Sequence, residues 1–290
     1  MTPVLRPARP EETDAIIDFL HTHMKSSWKR ERWARVFDQR WVRPERGPPD
    51  LGHVVEEGGR ILGYCGLTNA DRRINGRWER SGSVGSLYLH KSLRGQGLGK
   101  ALMVNACASP GLTITVIGTG EGSRPLMGPA GCKLLDRDRF IWRRQEGALP
   151  KGVRIFTDVS AFGPLLTDDQ RQMLADHDGL GIVPVVLDSP DGLCLAVFWV
   201  QVKGDDVSYW DAVHVSNGPV FAAYGQALAD ALLPADAKAV LTADRRYLPP
   251  DTDGEVEVFG DNYWYKSDTL DRSQVDLMYT EILLLKLKLS

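Results

Sequence analysis

Cysteine is scarce in this chain of 290 residues: Cys65, Cys107, Cys132 and Cys194 are the only four, and they lie far apart. Their spacing excludes a disulfide framework and offers no metal-type pairing, so buried thiols in a reducing cytoplasm, and no metal, are expected. Long apolar runs are missing as well. Nothing approaches the roughly 20 residues of a membrane span, so no membrane partner is expected. The opening MTPVLRPARPEETDAIIDFL has no apolar stretch long enough for a signal peptide. Net charge is almost absent, at −3, but the average conceals a contrast. Residues 1–150 hold 24 Lys and Arg against 16 Asp and Glu, and the remainder holds 11 against 22. A basic half suits an anionic ligand, and an acidic half suits a cationic one. An acidic second half also argues against a chain that wraps nucleic acid. What is present, 43% hydrophobic and 25% charged residues, is ordinary for a globular protein with a buried core. The length suggests two domains.

Periodicity sets the order of elements. Val4 and Leu5 open a strand, and Ala15, Ile16, Phe19, Leu20 and His23 fall at helical spacing after Thr13. KSSWKRERWARVFDQRW is a basic, Trp-rich helical segment that ends before Pro44. HVVEEGGRILGYCGLT reads as a hairpin turning at Glu57-Gly58-Gly59, and Asn75-Gly76 signals a second turn before WERSGSVGSLYLH. A glycine loop follows, then the helix GKALMVNACAS, the strand LTITVIGT, a glycine-broken helix in SRPLMGPAG and closing strands in CKLLDRDRFIWRR. QEGALPKG reads as a linker between a mixed α/β domain over residues 1–146 and a second over 152–290. The second half repeats the order, with a hairpin at Ser189-Pro190-Asp191-Gly192, a helix in FAAYGQALADALL, a strand in AKAVLTAD, and EVEVF, DNYWYKS and EILLLKLKL as final strands. Leu87 and Val213 occupy matching places, as do Ile114 and Ala239, which predicts a tandem of two related units.

The stretch LYLHKSLRGQGLGKAL, Leu87 to Leu102, carries the strongest chemical signal. A strand that feeds a helix through glycines makes an anion site, because free N–H groups of the first turn and the helix dipole point into the loop. Arg94 and Lys100 bracket it with positive charge. Walker A spacing fails: three residues, not four, separate Gly95 from Gly99, and Ala101 supplies no hydroxyl for Mg²⁺. The dinucleotide fingerprint fails too, since the spacing is G-x-G-x-G and no acid stands near Gly111-Leu112-Thr113.

Arg94-Gly95-Gln96-Gly97-Leu98-Gly99 does match the (Gln/Arg)-x-x-Gly-x-(Gly/Ala) signature of the GNAT superfamily of acyl-CoA-dependent N-acyltransferases. Leu87-Tyr88-Leu89 resembles the end of that family's fourth strand, VVEEGGRILGYCGL its second-to-third strand hairpin and VLRPARPEE its opening. The resemblance runs over residues 3 to 144 and implies a GNAT fold, with the second half a GNAT-like repeat that has lost the signature. There VSNGPVFAAYGQAL puts Pro219 in the loop and offers no Lys or Arg. Coenzyme A binding is implied for the first unit. Amides from Gln96 to Lys100 would cradle the pyrophosphate beside Arg94 and Gly95, and Leu87, Tyr88 and Leu89 would pair with the pantetheine arm. The implied activity is direct transfer of an acetyl group from acetyl-CoA, the family's usual donor, to the amine of a small-molecule acceptor. An amino sugar or an amino acid derivative is the expected acceptor type.

Two positions break the family pattern. Met127 stands where the general-acid tyrosine is usual, and Gly85 where a carboxylate often sits, two residues before Leu87. Glu79, at the start of the same strand, is the remaining candidate catalytic carboxylate, against a plain reading as a solvated hairpin charge. His21, His23 and His53 could face the acceptor, and Asp205, Asp206 and Asp211 could attract a cationic amine, but packing and solvation explain both sets as well. Trp28, Trp33, Phe37 and Trp41 would line an acceptor wall or pack in the core. The missing proton handlers leave room for a rival function, a degenerate acyl-CoA-binding sensor or scaffold; a protein-modifying acetyltransferase subunit is a second rival. A homodimer is compatible with each.

Overall fold

The computed structural model describes residues 2–235 and 238–289. Contacts divide the chain into two compact units, neither continuous in sequence. Unit 1 runs to Leu135 and adds Asp261–Asp271 and Tyr279–Leu287; unit 2 comprises Asp136–Gly260, Arg272–Met278 and the last residues from Lys288. The stretch 145–152, expected as a linker, belongs to unit 2.

Unit 1 opens with β1 (Val4–Pro7), α1 (Thr13–His23) and α2 (Arg30–Ala34). Then come β2 (Gly52–Glu57), β3 (Arg60–Ile74), β4 (Arg77–Leu89), α3 (Leu98–Ala106) and β5 (Leu112–Ile117). The long β3–β4 hairpin turns at Asn75 and Gly76, both at positive φ (51° and 75°), as its sequence predicts. Strand alternation sends Val54 and Tyr64 to one sheet face, where Ile16, Leu20 and Trp33 cover them, and Val55 and Cys65 to the other, under Leu102 and Met103 of α3. The basic segment expected as one helix breaks after α2 into a 3₁₀ turn, and Trp33, Val36 and Trp41 all turn inward.

β6 (Lys133–Trp142) leads into unit 2, which continues with β7 (Arg154–Phe156), α4 (Val159–Phe162), α5 (Asp168–Asp176), β8 (Val183–Ser189) and β9 (Gly192–Lys203). It ends with β10 (Val207–Val215), α6 (Gly218–Leu232), β11 (Ala239–Asp244) and most of β12 (Glu255–Lys266). Phe198, Phe221, Leu228 and Leu241 centre its core between sheet and α6. EVEVF and DNYWYKS, expected as two strands, are the single strand β12.

The two units share one strand order. In unit 1, β1, β2, β3 and β4 pair antiparallel in sequence, β4 pairs parallel with β5, and β5 pairs antiparallel with residues 263–266 of β12. In unit 2, β7 to β10 pair antiparallel, β10 pairs parallel with β11, and β11 pairs antiparallel with β6. Unit 1 therefore completes its fifth strand with a segment near the end of the chain, and unit 2 with β6, the strand that precedes β7. One expectation fails here. EILLLKLKL is no strand but a short helix, α7 (Glu281–Leu284), because four successive apolar residues, Ile282 to Leu285, are all buried and no sheet face alternates that way.

Candidate active site

Pairing between β4 and β5 runs from Arg80↔Leu112 to Ser83↔Thr115 and stops there, although β4 continues to Leu89. A bulge adds to the divergence. Between the pairs Gly66↔Gly85 and Tyr64↔Tyr88, two residues of β4 face one of β3, with Ser86 held at φ 55°. Between the diverging strands lies a cleft of about 320 Å³. Its walls are Val84 to Leu87 of β4, Val116 and Ile117 of β5, Met103 of α3, and the indoles of Trp28 and Trp33.

The glycine loop joins β4 to α3. Gly95 and Gly97 stand at φ 80° and 78°, and nothing lies within 4 Å of where a Cβ on either would be. Gly97 is the N-cap of α3 and no side chain caps the helix, so the first-turn N–H groups open onto empty space. Arg94, at the entry to this loop, is anchored on the end of β4: its Nε donates to the Leu89 carbonyl (3.1 Å) and its guanidinium lies over Tyr88 at 5.5 Å. Such a concave cradle of amides with an adjacent cation fits a pyrophosphate.

Gly85 has a specific neighbour. A Cβ there would stand 2.6 Å from Oε1 of Glu281, so the carboxyl of Glu281 fills the space a side chain at 85 would take. Glu281 is buried, lines the cleft and accepts a hydrogen bond from the Ser83 hydroxyl. Among the described residues no cation pairs with it, and burial pushes its pKa up to about 7 despite the Ser83 bond. A carboxyl group that titrates near neutrality at the floor of a cleft is equipped to take a proton.

The acetyltransferase (GNAT) family model matches residues 13–110, the segment that holds α1 to α3 and the loop. Residues 13–110 are thus similar to a GNAT acetyltransferase domain. Three solved structures share the fold over 91% of this chain. They are a GCN5-related N-acetyltransferase from Kribbella flavida (14% identity, TM-score 0.53, 71% of its chain covered), a probable N-acyltransferase from Enterococcus faecalis (9%, 0.56, 72%) and a GCN5-related N-acetyltransferase from Anabaena variabilis (10%, 0.54, 72%). At these identities the likeness concerns the fold, and it bears out the mixed α/β GNAT architecture. Comparison with curated proteins returns no match.

Within the matched segment, Leu87 lines the cleft, and Leu87, Leu89 and Leu98 pack on the core beneath α3. Tyr88 faces the other side, stacked with His23 and edge-on to Phe19. Gln96 turns its amide toward the Ser92 carbonyl at 3.4 Å, and Lys100 is exposed on the first turn of α3. Met127 is fully buried. Glu79 is not brought to this place. It lies opposite Arg72, eight residues up β4 from Leu87 and so roughly 26 Å away, and it accepts a bond from Thr269. His53 is half-buried, with its pKa lowered by desolvation, and it does not line the cleft. Asp211 cannot attract an amine, since it is buried against Arg139, Lys203 and Thr242. Among the described residues no three His, Cys, Asp or Glu converge as metal ligands would, and no helix is long and apolar enough to cross a membrane.

Unit 2 differs at the corresponding place. β10 bulges at Val213, whose carbonyl accepts from the Tyr247 hydroxyl (2.8 Å) and from the Leu277 amide (2.9 Å). At the start of α6 a Cβ on Gly218 would stand 1.8 Å from the Tyr247 carbonyl oxygen, and Asn217 caps the helix with its own side chain.

Proposed function

We propose that this protein is an N-acetyltransferase that moves an acetyl group from acetyl-CoA directly to the amine of a small molecule. The observation that carries the reading is the cleft, which has an uncapped, glycine-lined helix start beside it and a cation-free carboxyl at its floor. Acetyl-CoA would supply the activated thioester. Amides of Gly97 to Lys100 hold its pyrophosphate, with Arg94 as counter-charge, and the bulged end of β4 offers backbone groups to the extended arm. Glu281 takes the proton that the amine must lose, in the place left by Gly85. Ser86, Thr119 and Ser123 bring hydroxyls to the cleft that could protonate the leaving thiolate, since Met127 carries no proton. A catalytically silent sensor drew its support from the missing proton handlers at positions 85 and 127; Glu281 offers a carboxyl at the first of these and so supports the enzyme. We further propose that unit 2 is a GNAT-like repeat without coenzyme A, on the strength of the shared strand order and the contacts of Tyr247 with Val213 and Gly218.

Calorimetry with acetyl-CoA tests the cradle. Gly97→Asp sets a negative charge where the pyrophosphate would sit, and an affinity loss of at least about tenfold, or ~1.4 kcal/mol, is expected with the fold retained. Unchanged affinity would refute the loop assignment, and release of free thiol in the presence of amines then reads the transfer itself.

A further inference from the structure

Beside the acyl cleft lies a second cavity of about 410 Å³, lined by Ser27, Trp28, Lys29, Arg32, Arg35 and Lys286 and sharing Trp28 and Leu285 with the cleft. We propose that the acceptor is an amine that also carries a carboxylate or phosphate, and that Lys29, Arg32, Arg35 and Lys286 hold this anionic group while the amine faces Glu281. The proposal rests on the acetyltransferase reading above.

No acid lines the second cavity. Elsewhere in unit 1 arginines meet carboxylates: Arg6 pairs with Glu12 and Glu56, Arg30 with Asp14 and Asp18, Arg46 and Arg80 with Asp71. Among the described residues none of the four cavity cations has such a pair. Arg32 is nevertheless fixed in place. Its Nε and Nη2 donate to the Leu285 carbonyl at 2.9 and 2.6 Å, and its guanidinium lies 3.8 Å from the centre of the Trp28 ring. Burial, with repulsion from Arg35, lowers its pKa, whereas the pKa values of the paired Arg6, Arg30 and Arg80 are raised. A cation cluster without a counter-charge, with Arg32 fixed within it, is suited to an anion that arrives with a ligand, and guanidinium forks match carboxylate and phosphate oxygens.

Spacing narrows the class. Glu281 and Leu285 are four residues apart, joined by the bond from the Leu285 amide to the Glu281 carbonyl, a rise of about 6 Å along the axis. An acceptor spanning both places needs several bonds between amine and anion. Amino sugar phosphates and ω-amino carboxylates of about four carbons or more meet this condition. α-Amino acids, with both groups on one carbon, are too short.

Calorimetry on the CoA-saturated protein compares probes of matched length: 6-aminohexanoate, 1,6-diaminohexane, hexylamine, glycine and glucosamine 6-phosphate. The anionic long amines should bind at least about tenfold more tightly than the diamine, hexylamine or glycine, as expected for one charge-assisted contact. Whichever of carboxylate and phosphate binds better identifies the group. Arg35→Glu should remove the preference, and Arg35→Gln should weaken it if the charge reversal fails to fold. Equal, weaker or absent binding of the anionic probes overturns the proposal. Loss of CoA binding itself overturns instead the acetyltransferase reading on which it rests.

Discussion

In unit 1 the fourth and fifth strands part after Ser83 and Thr115, and the gap stays open, with a glycine loop and an uncapped helix beside it. In unit 2 the corresponding strands part after Ala212 and Ala243, but the chain beyond β11 turns back, so that Tyr247 and Leu277 both bond to Val213. The helix starts differ in the same sense: empty space surrounds Gly97, whereas the Tyr247 carbonyl abuts Gly218. Strand order is therefore a poor indicator of function, because both units have it. What distinguishes them is how unsatisfied backbone is treated after the strands diverge. Unit 2 satisfies that backbone internally, while unit 1 leaves it open.

The largest effect that would break this contrast lies at Glu281. Glu281→Gln should lower kcat roughly 10²- to 10⁴-fold, the usual range for a positioned general base, with little change in acetyl-CoA affinity. In the wild type, kcat should rise with pH through about 7, because the ionised carboxyl is the active form. Gly85→Glu in a Glu281→Ala background returns a carboxyl to the strand at the same place, and partial recovery of kcat is expected. No recovery, together with a mild Glu281→Gln phenotype, would remove Glu281 from the chemistry.

A smaller effect should appear in stability. The Glu281 carboxyl titrates at about 7 in the fold against 4.5 in an unfolded chain. Between these values the folded state holds the proton and the unfolded state has released it, so stability is full below pH 4.5 and falls as pH rises through about 7. The difference amounts to about 3 kcal/mol, and denaturant midpoints at pH 5 and pH 8 would read it. Glu281→Gln should flatten the profile and be the more stable protein at pH 8. A wild-type profile without this decline would mean that the buried carboxyl is compensated by a group at the site.

How much of this could be read in the sequence follows from how local each signal is. The open glycine loop was legible because Arg94, Gly95, Gln96, Gly97 and Gly99 lie in one short stretch between a strand and a helix, whose spacing alone rejected two known phosphate loops. Both hairpins of unit 1 were legible from their turn residues. Glu281 was not, since its partner Ser83 is 198 residues away and no periodicity connects them. Residues 285–289 alternate Leu and Lys and so suggested a strand, but burial of Ile282 to Leu285 in succession makes the segment before them helical. The exchange of sixth strands was equally hidden: β5 is completed by residues 263–266 and β11 by β6, and a pairing partner leaves no mark on the strand that receives it.

The smallest effect concerns the bond that most directly fills unit 2. Tyr247→Phe deletes the hydroxyl that donates to Val213 and accepts from Arg246 Nη2. Val213 keeps the Leu277 amide, and Arg246 keeps Asp136 and Asp244 at Nη1 and the Val275 carbonyl at Nε, but its buried Nη2 loses its acceptor. The cost should therefore exceed that of one net hydrogen bond and reach about 2 kcal/mol, because a buried donor is left without an acceptor, seen as a drop in denaturant midpoint with an unchanged slope. Acetyl-CoA affinity and turnover should not move, because the cradle and Glu281 both belong to unit 1. A change in acetyl-CoA affinity on removing this one hydroxyl would show that unit 2 takes part in donor binding, and the division of labour between an open and a filled unit would fail.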